Sequence, residues 1–173
     1  AKRELGIPEG RPLVVSVWGS LGAAHMNEIM TDFIVRACAK PFFNLIHSAG
    51  KAGYSRMSAA LEREKPDYAR LGMDVRDYIY DMPRVMAAAD LVLCRAGAST
   101  LAELTAMGKP AILVPSPNVT NNHQERNARV LEAAGGARVM LEQDFTADSL
   151  LGLVSELRSE EHTSELQSHT QIS

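Results

Sequence analysis

The chain has 173 residues, 46% of them apolar, and a formal charge of −3. That is long enough for one domain with a full core, and it lacks the basic surface that tracks nucleic-acid phosphates. No run approaches the roughly 18 uninterrupted apolar residues of a membrane span, and the opening AKRELGIPEGRPL has no secretory apolar segment, so a cytosolic setting is expected.

In chain order, the runs PLVVSVW, FFNLIHSA, VRDYIY, DLVLCR, PAILVP and ARVML read as strands, separated by helix-like segments of ten to twenty residues. Continuous apolar strands alternating with helices predict a doubly wound α/β domain, a Rossmann-like parallel sheet with helices on both faces. In AAHMNEIMTDFIVRACA the positions Met26, Ile29, Met30, Phe33, Ile34 and Ala37 form one stripe, the core face of a helix. Asp81 is placed to cap the helix after VRDYIY, and Ile79 to end that strand. A helix starting near Ser99 should stop at Gly108-Lys109-Pro110, since glycine suits the left-handed end position and proline cannot continue. Cys38 and Cys94 lack the spacing of a metal knuckle or a disulfide framework and read as core thiols.

Residues 158–173, RSEEHTSELQSHTQIS, carry only Leu166 and Ile172 as apolar side chains and no period that would seat them on a core. Back-translated, Arg158 to His169 resembles a short-read sequencing adapter. The expectation is a domain over 1–157 followed by a non-native, disordered read-through tail over 158–173.

In open sheets of this kind, ligands bind outside the carboxyl ends of the strands. Gly19 and Gly22 flank Ser20 at the first strand-to-helix turn, where backbone N–H groups could receive phosphate, although neither GxGxxG nor a P-loop is present. Glu103 lies one turn inside the fourth helix. It is either electrostatic trim at a positive helix start or a carboxylate that holds ligand hydroxyls. Val114 to Ala128 offers neutral donors and acceptors suited to a sugar, with Asn121 or Asn122 serving equally well as caps. His25 and His47 fit satisfied polar positions better than catalytic bases. No paired-acid DxD sits at a strand end, so ligand binding is expected to need neither metal nor cofactor.

WGSLGA, CRAGASTLAEL, GKPAILVP and NNHQERNA, in this order and spacing, resemble the donor-binding C-terminal half of the bacterial lipid I N-acetylglucosaminyltransferases. The likeness covers about residues 1–157 and implies the C-terminal domain of a GT-B glycosyltransferase. By that resemblance Ser20 and Gly22 receive the diphosphate of UDP-N-acetylglucosamine, and the main chain of Ile79 contacts uracil. Ala98 and Thr100 sit at the helix start near diphosphate and sugar, Glu103 holds the ribose hydroxyls, and His123 and Gln124 face the amino sugar. Trp18 and Leu21 depart from the family pattern GGSxGA, which has Gly and commonly Gln at those positions.

The implied reaction is inverting transfer of N-acetylglucosamine to undecaprenyl-diphosphate-linked muramoyl-pentapeptide in peptidoglycan synthesis, on the cytoplasmic face of the membrane. The general base, the lipid-linked acceptor site and the membrane contact are expected in an N-terminal domain ahead of Ala1, so that no catalytic residue is assigned here and the fragment alone is expected to be inactive. The alternatives are a stand-alone UDP-sugar binding subunit with a separate acceptor-domain partner, or a related glycolipid glycosyltransferase. A dinucleotide-binding dehydrogenase domain lacks its fingerprint.

Overall fold

The computed structural model describes residues 2–7, 10–19, 23–117 and 123–157. Ser20, Gly22, Asn121, Asn122 and the segment 158–173 lie outside them.

Five residues of continuous apolar character suffice for a strand buried on both faces, and β1 (Leu13–Val17) is of this kind. It is followed by α1 (Ala23–Ala37), β2 (Asn44–Ser48), α2 (Tyr54–Glu64), β3 (Met73–Arg76), α3 (Met82–Ala88), β4 (Leu91–Cys94), α4 (Ala98–Met107), β5 (Ala111–Leu113), α5 (His123–Ala133) and β6 (Ala137–Val139). A last helix, α6, covers 147–157. The six strands are all parallel, in the order β3-β2-β1-β4-β5-β6. This is the doubly wound arrangement expected from the alternating pattern.

Side chains alternate across each strand, so the sheet separates two cores. Val14, Leu45, Met73, Leu93 and Ile112 face α1, α2 and α6, where they meet Met26, Met30, Phe33, Ile34, Met57, Leu61, Leu150 and Val154. Leu13, Val15, Ile46, Val92, Cys94 and Leu113 face α3, α4 and α5 through Val85, Met86, Leu104 and Ala128. The stripe expected on α1 is therefore its core face. Phe33 is fully buried and stacks on Phe43 at 5.5 Å; truncating such a side chain to alanine typically costs about 3–5 kcal/mol. Gly108 closes α4 at φ +65°, its N–H returning to Leu104 O and Thr105 O, as its place before Lys109-Pro110 predicts.

Two local expectations are corrected. β3 ends at Arg76, so Ile79 lies in the following loop rather than at the strand end. The strand stops there because Asp77 turns the chain, its carboxylate accepting the Tyr78 N–H at 2.7 Å. Asp81 does occupy the N-cap position of α3, but its side chain makes no capping bond. It pairs instead with Arg84 Nε at 3.2 Å, one turn along. Both cysteines are buried and free, with Cys38 one residue past the end of α1. Burial pushes the Cys94 thiol up to about 12 and raises that of Cys38. Both are inert core groups.

A rim of uncapped amides and one free carboxylate

Strand order reverses between β1 and β4. The chain leaves β1 toward β2 and β3 on one side and leaves β4 toward β5 and β6 on the other, opening a crevice at their carboxyl ends. Val17 and Cys94, the last residues of these two strands, are register partners. The turn after Val17 and the turn after Cys94 thus start side by side.

After β4 only Arg95, Ala96 and Gly97 precede α4. Gly97 is the N-cap in an extended conformation, its carbonyl accepting the Leu101 N–H at 3.0 Å, and no side chain caps the helix. The N–H groups of Ala98, Ser99 and Thr100 consequently have no intrahelical partner. Among the described residues no atom lies within 4 Å of where a Cβ on Gly97 would stand.

Glu103 is the sixth helical residue, and the first turn holds no acid. The dipole effect fades beyond the first turn, so electrostatic trim does not account for it. The side chain is exposed, and among the described residues it makes no hydrogen bond or ion pair. A carboxylate one turn behind a row of uncapped amides can accept two hydroxyl donors from a ligand whose anionic part faces those amides.

Ile79 reaches the rim from the β3 side. Its side chain is 2% exposed and packs in the same core cluster as Val15, Ile46, Val85 and Leu104. Its main-chain N–H and C=O make no hydrogen bond among the described residues. An anchored side chain with an unpaired peptide group can read the donor and acceptor edge of a planar ring. Tyr78 and Tyr80 flank it, exposed and in edge-to-face contact at 4.9 Å.

At the other end of the rim, α5 begins with exposed His123 and half-buried Gln124. Gln124 Oε1 accepts the Ser116 N–H at 2.9 Å, which ties α5 to the loop after β5 and leaves the amide NH₂ as the group available to a ligand. Residue pattern alone missed Arg95. Its guanidinium meets Glu142 Oε1 at 2.8 Å and donates to the carbonyls of Val114 and Pro115 at 3.4 Å each. With side chains only 15% and 16% exposed, the pair clamps the loops after β4, β5 and β6 together. A lone arginine between strand and helix carries no signal of that partnership. Exposed His25 borders a cleft of about 630 Å³ with Ser116, Glu125 and Glu142.

His47 belongs to a buried chain of hydrogen bonds beneath the first turn. Asn27 Nδ2 donates to Ala49 O at 2.8 Å, so its Oδ1 must face His47 Nε2, 2.8 Å away. That nitrogen therefore carries the ring proton, and His47 Nδ1 accepts from the Ser16 hydroxyl at 3.0 Å. Ser16 Oγ in turn accepts the Trp18 indole N–H at 2.7 Å. Ser16 and His47 are fully buried, and burial holds the imidazole far below its usual range, at about 3. It is a neutral, enclosed ring and cannot reach a substrate proton. Among the described residues no three His, Cys, Asp or Glu side chains cluster as a metal site, and no helix is long and apolar enough to cross a membrane.

Comparison with known proteins agrees with this fold. The glycosyltransferase family 28 C-terminal domain matches residues 13–173. The UDP-N-acetylglucosamine–N-acetylmuramyl-(pentapeptide) pyrophosphoryl-undecaprenol N-acetylglucosamine transferase of Acetivibrio thermocellus is 45% identical over 150 residues, 87% of this chain and 40% of that protein. The crystal structure of Acinetobacter baumannii MurG superposes with a TM-score of 0.71 at 28% identity, over 90% of this chain and 43% of that one. The solution structure of ALG13 shares the fold, with a TM-score of 0.60 at 19% identity, over 89% of this chain and 87% of that one. The chain spans about two-fifths of the length of the transferase relatives it matches. Its parallel sheet is that of a GT-B glycosyltransferase C-terminal domain, and the chain belongs to the glycosyltransferase family 28 C-terminal domain family.

Proposed function

We propose that this chain is the donor-binding half of an inverting glycosyltransferase that moves N-acetylglucosamine from UDP-N-acetylglucosamine to undecaprenyl-diphosphate-linked muramoyl-pentapeptide. The observation that carries the reading is the rim at the switch point: uncapped amides at the start of α4, a free carboxylate at Glu103 one turn behind them, and the unpaired main chain of Ile79. The names of the 45%-identical relative and of the 28%-identical structure support it.

In this reading uracil lies against the peptide of Ile79, and Glu103 accepts both ribose hydroxyls. Ser20, Gly22 and the amides of Ala98 to Thr100 receive the diphosphate, with Thr100 at the sugar side. His123 and the free NH₂ of Gln124 meet the amino sugar. The acceptor 4-hydroxyl oxygen forms the new bond to the anomeric carbon as the bond from that carbon to the phosphate oxygen breaks, which inverts the centre. UDP departs with the bonding pair, and the hydroxyl proton passes to a base on an acceptor domain, which would also make the contact with the cytoplasmic face of the membrane. Negative charge grows on the diphosphate as the bond breaks, so fixed helix-start dipoles stabilise the transition state more than the ground state. These amides supply the role that a metal plays elsewhere, and donor binding is independent of divalent cations.

Calorimetry of the chain with UDP and UDP-N-acetylglucosamine, with and without magnesium, tests the reading. Glu103→Ala should weaken UDP binding by about 1.5–3 kcal/mol, the range for a lost hydrogen bond to a charged group. Unchanged affinity would remove the ribose role.

A further inference from the structure

We propose that Glu142 is a positioning residue for the amino sugar: through Arg95 and the loop after β5, it sets which end of the Gln124 amide faces the ligand. The inference rests on the donor-site reading above and names a residue that acts on the sugar end of that site without touching the sugar.

An amide side chain carries an oxygen on one side and an NH₂ on the other, with nearly the same shape, so its partners decide which faces outward. At Gln124 the partner is the Ser116 N–H, accepted by Oε1 at 2.9 Å. The NH₂ is turned away from that peptide, and no other described group claims it. Whatever fixes the Ser116 peptide therefore fixes the face that Gln124 shows to a ligand.

That peptide is gripped from both ends. The Pro115 carbonyl and the Ser116 N–H belong to one planar trans unit, so they point in opposite directions. Gln124 holds the N–H, and Arg95 Nη1 donates to the carbonyl and to that of Val114, each at 3.4 Å. Bonds of that length are weak and do not by themselves hold a long, rotatable side chain. The contact that does is Arg95 Nη2 to Glu142 Oε1 at 2.8 Å, between side chains only 15% and 16% exposed. Because the guanidinium is a rigid planar fork, a carboxylate that fixes one nitrogen aims the other at the loop.

Glu142 is itself tied to the helix that bears Gln124. It lies three residues beyond Val139, the last residue of β6, whose N–H is accepted by Glu132 Oε2 of α5 at 2.7 Å. The ties thus close into a ring, from Gln124 along α5 to Glu132, across to Val139 and Glu142, and back through Arg95 and the Pro115–Ser116 peptide. Loosening the ring at Glu142 frees the amide to turn its oxygen outward.

The test is a double-mutant cycle read by calorimetry on the whole chain, with UDP-N-acetylglucosamine and with UDP, which lacks the amino sugar. Glu142→Leu should weaken UDP-N-acetylglucosamine by about tenfold more than UDP. In the Gln124→Glu background, where no NH₂ is left to orient, the same change should cost nothing further. Glu142→Gln keeps an oxygen at the same reach and should restore affinity to within about twofold of the parent. Glu142→Asp keeps the charge and shortens the reach; it should lose affinity as Glu142→Leu does, and serves if that variant does not fold. Equal losses for the two ligands would mean that the pair merely holds the rim together and would overturn the inference, as would the same loss in both backgrounds or no loss at all. A parent chain that binds neither ligand would instead refute the donor-site reading itself, and the inference with it.

Discussion

Moving from pH 7 to pH 5 should remove stability from this domain through one residue, His47. In the unfolded chain its imidazole titrates near the ordinary 6.5, whereas in the folded protein burial depresses it to about 3. The unfolded state therefore takes up a proton as pH falls through 6.5 and the folded state does not, so stability declines below pH 6.5 and the loss levels off only near pH 3. With those two values the cost is about 2 kcal/mol at pH 5 relative to pH 7, and about 3 kcal/mol at pH 4. Against a total of roughly 5–15 kcal/mol that is a large share. Other groups titrate over the same interval, and a neutral substitution isolates this one. His47→Phe leaves the Ser16 hydroxyl and Asn27 Oδ1 without partners, at about 1–3 kcal/mol each, and so lies below the parent at pH 7. Urea unfolding of both proteins at pH 7, 6 and 5 should show the gap closing by about 2 kcal/mol with unchanged dependence on urea. A gap that stays constant would mean that the folded protein protonates this ring as readily as the unfolded one, and the enclosed neutral imidazole would be wrong.

In the proposed reading Gln124 has two functions on two atoms, and two variants separate them. Gln124→Glu keeps an oxygen for the Ser116 N–H and loses the NH₂, so it should weaken UDP-N-acetylglucosamine relative to UDP with little change in melting temperature; Gln124→Ala should lower both. Residues 158–173 are proposed to lie outside the domain, so their removal should leave the thermal midpoint and UDP affinity intact, with a large drop in either counting against that division.

The strand pattern was legible because every strand but the edge pair is buried on both faces, and a run such as LVVSV admits few other readings. The stop of α4 was legible for a similarly local reason, since Gly108 and Pro110 each act through their own backbone. Ile79 was misplaced because a β-branched residue between two tyrosines has strand character, while its burial comes from the cluster it joins with Val85 and Met86 of α3 and Leu104 of α4. Asp81 failed as a cap for a related reason: the residue type suits the position, but Arg84 one turn later competes for the carboxylate. Local preference names the candidates, and a tertiary partner chooses between them.

Glu103, Ala98 and Thr100 are candidates on two grounds, the resemblance to the family and the place of a helix start after a buried strand end, where open parallel sheets take ligands. His47 offers neither ground, although its strand was correctly read. Its partners are residues 31 and 20 positions away, brought to it by parallel register on one side and by the packing of α1 on the other. Sequence periodicity says that Ser16, Asn27 and His47 turn inward; it cannot say that three inward polar groups cancel one another. Trp18 makes the point most directly. Against the family pattern it looks like damage to a glycine turn, yet its side chain turns into the core and donates the proton that sets the direction of the whole network.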